Sequence, residues 1–314
     1  MIIDMRYHIA SLVAVFLALG LGILIGSAMG GNDALIEQQK RLIDRLEMDF
    51  AQIKQDREKL QVKLNLVERE LASSVEFEKT AFPVLVAGKL QSKNVAIIRT
   101  GDSVSRRSEE AIVRALKDAG ANITSVTTVL RPFELTSGDA RARDELFKCL
   151  GLDAIQTEPQ PKDIPVRLAT ALAREIASGT GLTLVPALEE LGFVQVSGRY
   201  QGYVDAVVIL GGSSEESRMA AKSVDLPLID AFSAFGVRVV GVEAAGASKS
   251  YMKLYKEKGI PTVDNADMVL GQLSLVFALA GENGHYGIKE TARQPFPDFL
   301  GGLTGKGNYS GGSR

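Results

Sequence analysis

Hydrophobic and polar positions follow three different rhythms along the chain. From Ile9 to Asn32 no side chain is charged, and Ile9 to Met29 is almost continuously apolar. A run of about 20 apolar residues is what a helix needs to cross a bilayer core, and it exceeds the roughly 7–15 apolar residues of a secretory signal. Gly26, Ser27 and Ala28 resemble the small residues of a cleavage site, so a removed signal stands as the alternative to a retained anchor. Gly20, Gly22 and Gly26 lie on or near one helical face, with Gly22 and Gly26 in a GxxxG spacing. The few charges flanking this run are nearly balanced. Lys/Arg asymmetry therefore assigns no orientation.

After Asn32 the rhythm becomes 3–4. Ile36, Ile43, Phe50, Arg57, Leu64 and Leu71 occupy a positions. Gln39, Leu46, Ile53, Leu60, Val67 and Ser74 occupy d positions, and the residues between them are mostly charged or amide. No Pro or Gly occurs from Asn32 to Phe82. The seam Ile36, Ile43, Leu46, Phe50, Ile53, Leu60, Leu64, Val67 and Leu71 predicts a coiled coil, which one helix cannot bury alone. A parallel homodimer is the expected partner arrangement, and folding back onto the chain's own domain is the alternative. Arg57 in an a position costs stability and sets register.

From about residue 93 β-rich runs alternate with helical ones. Strands are predicted at 94–100, 123–129, 203–212 and 237–245. Helices are predicted at 105–120, 139–150, 165–178, 214–224, 226–236, 248–259 and 266–281. Uniformly apolar strands separated by helices predict a parallel sheet covered on both faces. The expected class is thus α/β: a transmembrane helix (1–31), a coiled-coil helix (32–82), a parallel-sheet three-layer α/β domain (83–292) and a disordered Gly/Ser-rich tail (293–314).

Composition narrows the chemistry. The formal net charge of −2, without a basic stripe, argues against nucleic acid as a partner. One cysteine, Cys149, excludes an intrachain disulfide. With only His8 and His285 as histidines, the usual soft-ligand zinc or copper motifs are not spelled out. The segments 99–107 and 210–217 set Gly and Ser between a strand and a helix start. Such turns can hold an anion, but neither matches a nucleotide-binding motif, and Ser213 or Ser214 serves equally as an N-cap. Asp102, Glu243 and Asp264 lie near strand ends, yet their spacing defines no acid–base pair. No enzyme is expected. Asp264 or Asn265 is placed to N-cap the last helix. Gly281–Gly287 reads as a glycine-bracketed turn holding His285 and Tyr286, with a binding loop as its alternative.

MRYHIASLVAVFLALGLGILIGS near one end and VDNADMVLGQLSLVFALAGENGHYG near the other resemble the MctB-type copper transport protein family. The resemblance spans nearly the whole chain. It implies an extracytoplasmic α/β domain on a retained, single-pass cell-membrane anchor with a cytoplasmic N-terminus. It marks Arg6, Tyr7 and His8, and Asp264, Asn265, Asp267, Gly284, His285, Tyr286 and Gly287, as the family signature. Ala266 departs from it, standing where a larger aliphatic residue is expected. The resemblance also implies copper transport, an outer-membrane channel in actinobacteria, with copper as the one metal to consider and His285 and Cys149 as candidate ligands. Against a channel, the chain has no series of ten-residue alternating segments of the kind a β-barrel needs. Similarity to SteB-type envelope proteins implies an alternative: a non-catalytic coiled-coil scaffold that binds a membrane or envelope protein and regulates cell-wall hydrolysis or division.

Overall fold

The computed structural model describes residues 5–30, 32–135, 139–152, 160, 163–200, 202–213 and 221–298. They fall into two units, 1–74 and 75–314.

The first unit is helical. Helix α1 runs Met5–Gly30 and helix α2 runs Asn32–Val86, the last turns of α2 belonging to the second unit. Residues Met5–Ala28 are long and apolar enough to cross a membrane. At 1.5 Å per residue α1 is about 39 Å long, against a hydrocarbon core of about 30 Å. Helix α2 has 55 residues. Polar pairs one turn apart brace its surface: Arg41 to Glu37 at 2.7 Å and Gln52 to Asp56 at 3.0 Å. Pro83, which has no N–H to give, stands one turn before the helix ends.

The second unit is built on one seven-stranded sheet of order β3-β2-β1-β4-β5-β6-β7. The strands are β1 (Asn94–Arg99), β2 (Asn122–Val129), β3 (Val194–Gly198), β4 (Ala206–Leu210), β5 (Arg238–Val242), β6 (Thr262–Val263) and β7 (His285–Tyr286). All neighbours pair in parallel except β2 with β3. The period of two in a strand sends alternate side chains to opposite faces. Ala96, Ile98, Val207 and Ile209 therefore enter one core, which takes in helices α4 (Ala140–Cys149), α5 (Ile164–Ser178), α6 (Leu184–Glu190), α7 (Asp225–Ala234) and α8 (Met252–Glu257). Val95, Ile97, Ala206, Val208 and Leu210 enter the other, with α3 (Arg106–Asp118), α9 (Val269–Ala280) and Phe82 and Val86 from the end of α2. This is the expected three-layer α/β arrangement, with one antiparallel edge.

Three local expectations are revised. First, β3 and α6 have no counterpart in the predicted elements. Helix α6 is short, and its start is held from outside: the buried Glu175 carboxylate on α5 accepts the N–H groups of Thr183, Leu184 and Val185 at 2.8–2.9 Å. Second, neither Asp264 nor Asn265 caps α9. The flanking residue is Met268, with no side-chain bond, because Asp264 instead accepts from the backbone of Ile288 and Lys289 at 2.8 and 3.0 Å. Third, the glycine-bracketed turn contains a strand, β7, in register with β6 through Thr262 and His285. Ser213 exchanges backbone bonds with Lys249, both 3.0 Å.

Ser214 and most of the helix expected at 214–224 lie outside the described residues. So does most of the tail expected from 293. Its first two residues are hydrogen-bonded to the domain, Arg293 to the His285 carbonyl at 2.8 Å and Gln294 to the Gly287 N–H at 3.1 Å.

Candidate functional site

An open sheet of this order reverses direction between β1 and β4, and a crevice at their carboxyl ends is where such folds bind ligands. Here the two loops close on each other. Thr100 and Gly101 both donate N–H bonds to the Leu210 carbonyl at 3.0 Å, and Ser103 Oγ donates to the Gly211 carbonyl at 2.6 Å. Gly101 has to be glycine, because a Cβ there would overlap the Gly212 carbonyl.

Beneath this clamp lies a buried polar pair. The Tyr255 hydroxyl, from α8, donates to the carboxylate of Asp225 in the first turn of α7. The Tyr255 side chain packs against Gly211 and Gly241, and a Cβ on either would strike it. Burial pushes the Asp225 pKa up to about 7, opposed by hydrogen bonds from Tyr255 and Thr100. Burial, with Asp225 beside it, raises Tyr255 well above its ordinary 10.

The carboxyl end of β5 is likewise engaged. Glu243 is fully buried. One of its oxygens accepts from Lys289 Nζ at 2.6 Å and the other from the Tyr251 N–H at 3.0 Å. Lys289 also donates to the Ala244 carbonyl at 3.1 Å. Since Asp264 holds the backbone of Ile288 and Lys289, two of the three carboxylates singled out in the sequence converge on one short segment, where both serve as internal acceptors. Asp102, in the β1–α3 loop, is also engaged. Nothing in the spacing of Asp225, Tyr255, Glu243 or Lys289 reveals these pairings, which join residues 30 and 46 positions apart.

The two candidate metal ligands are not brought together. Cys149 ends α4, its Sγ 3.7 Å from the Thr183 carbonyl, and burial and Glu145 push its thiol pKa up. Helix α4 packs on α6, and α6 on β3. His285 is on β7, at the opposite edge of the sheet, with Nδ1 3.0 Å from Thr262 Oγ1. Six strand spacings separate the two edges, about 29 Å. Burial and the positive Lys256 and Arg293 push His285 below its ordinary 6.5. Among the described residues no three His, Cys, Asp or Glu side chains gather as a metal ion would require.

Compared with known protein families, the chain matches the one described as "Copper transport outer membrane protein, MctB" over residues 2–297. The chain belongs to this family. It is also 22% identical to the protein named "Copper transporter MctB" from Mycobacterium bovis and from two strains of Mycobacterium tuberculosis. Each alignment covers 91% of this chain and 96% of the relative.

The residues expected as the family signature fall into two sets. Arg6, Tyr7 and His8 form the first turn of α1 and are exposed. The second set packs around the β6–β7 corner, where each glycine admits a neighbour. Gly284 leaves room for the Tyr286 ring, and Gly287, at φ +139°, leaves room for the Asp264 carboxylate. Asp267 accepts from the Ala245 N–H at 2.8 Å. Ala266 is fully buried in the same core. These contacts make the second set a packing unit.

The remaining candidate surface is the α2 seam. All nine apolar seam residues are more than half exposed, from 51% at Val67 to 71% at Phe50.

Proposed function

We propose that this protein is a membrane-anchored, extracytoplasmic member of the MctB family that serves copper homeostasis at the cell envelope, and that its working surface is the helical stalk. Helix α1 is the single-pass anchor, with the N-terminus cytoplasmic. Helix α2 self-associates as a coiled coil, and the α/β head is non-catalytic. Family membership and the relatives' copper transporter name support the copper role. The observation that carries the stalk reading is the row of exposed apolar residues on α2, about 1.5–3 kcal/mol per side chain if buried. One apolar helix encloses no pore, so any conduction of copper belongs to an assembly of several copies, with copper as cargo rather than as a resident metal.

A second reading is favoured by the closed β1–β4 clamp and by the engagement of Glu243 and Asp264 within the chain. In it the protein is a scaffold that holds an envelope partner at a set distance from the membrane. The two readings separate in cells lacking the protein. Cellular copper would change on deletion and be restored by the full chain, but not by the seam variant Ile43→Glu/Ile53→Glu. Unchanged copper in the deletion strain, accompanied by a division or cell-wall defect, would replace the copper role with the scaffold.

A further inference from the structure

The charges beside the seam identify what covers it. We infer that α2 pairs with α2 of a second copy of this chain, parallel, two-stranded and in register. This inference rests on the stalk reading above and adds orientation, strand number and register. In a parallel pair each g residue faces the e residue five positions later on the other helix. With the a positions already assigned, the charged g residues are Asp49, Asp56, Lys63 and Glu70, and the e residues that face them are Lys54, Gln61, Glu68 and Val75. Asp49 thus meets Lys54 and Lys63 meets Glu68, twice each by symmetry, and no g–e pair along the seam sets like charges together. Within one chain, Asp49, Lys54, Arg57, Lys63 and Glu68 have no ion-pair partner among the described residues.

Arg57 supplies the register. Two Arg57 side chains meet at one a layer, and an unpaired guanidinium in the seam is costly. The hole that receives an a residue includes the preceding g residue of the other helix. That residue is Asp56, whose facing e position is the uncharged Gln61, so its carboxylate is available to Arg57 of the other copy. Within the helix Asp56 makes only exposed contacts, to Gln52 at 3.0 Å and to Lys59 at 3.9 Å. A slip of one heptad sets Arg57 against Phe50 or Leu64, Asp49 against Glu47 or Gln61, and Asp56 against Lys54 or Glu68, so one Asp56–Lys54 pair replaces the four in-register pairs and like charges meet. An antiparallel pair centred on this layer opposes Asp56 to Asp56 and Lys54 to Lys54. Ile36 and Ile43 at a with Leu46 and Leu60 at d add the pattern that favours two strands.

The test uses the full chain in detergent micelles with Cys149→Ser, adding single cysteines. Leu46→Cys and Leu60→Cys are each expected to cross-link to themselves at least about tenfold faster than Gln55→Cys on the outer face, and mixed Leu46→Cys with Ile53→Cys is expected to give no mixed dimer. Asp56→Arg is expected to weaken association by about tenfold, and Asp56→Arg/Arg57→Asp to restore it. Association with offset or antiparallel cross-links, or as trimers, would overturn the inference and leave the stalk reading standing. A chain that remains monomeric would overturn both.

Discussion

The two units of this chain manage apolar surface in opposite ways. In the head, β4 is buried on both faces, and the crevice at the carboxyl ends of β1 and β4 is shut by the protein's own loops. In the stalk, nine large apolar side chains face outward in a single row. An uncovered apolar row of this length is the kind of surface that marks an interaction site, which is the basis of the association proposed above.

The comparison breaks most sharply at Gly211, where any side chain would run into Tyr255. Gly211→Val is expected to destabilise the head by about 4 kcal/mol, through overlap with the ring and loss of its bond to Asp225. Thermal unfolding checks this, and stalk association should survive as long as the head folds. A change below about 1 kcal/mol would mean that the clamp is loose.

A smaller effect sharpens the picture of the closed head. The folded pKa of Asp225, about 7, lies above its ordinary 3.8. Its contribution to stability is therefore complete below about pH 4 and is lost as pH rises to 7. Asp225→Asn does not titrate. The stability of the native chain relative to this variant should fall by about 3 kcal/mol from pH 4 to pH 7 and level off above. Chemical denaturation at several pH values measures the difference, in which titrations common to both proteins cancel. A flat difference would mean that water reaches Asp225.

Much of the head was legible from local pattern. The runs that became β1, β4 and β5 are too apolar for any element not covered on both faces, and Gly120, at φ +92°, marks where α3 stops. The two-residue strands β6 and β7 carry no period to detect, and exist because Thr262 and Val263 line up with His285 and Tyr286. Asp264 shows why capping was misread. A carboxylate shortly before a helix looks the same whether it caps that helix or holds a segment returning from 24 residues away. Candidate ligands were the least legible, since Cys149 and His285 reveal their separation only once β3 and β7 are known to be opposite edges. In the stalk, the long helix was legible because an unbroken polar and apolar rhythm without Pro or Gly up to Phe82 is a local property, whereas a partner for its seam is not.

The account turns on the seam of α2 being a self-association surface while the head is self-contained. Sedimentation of the full chain in density-matched detergent tests both halves together, comparing the native protein with Ile43→Glu/Ile53→Glu. The native chain should sediment as a dimer and the variant as a monomer, with the head's unfolding temperature unchanged between them. A variant that stays dimeric, or a native chain that is monomeric at micromolar concentration, would contradict the account.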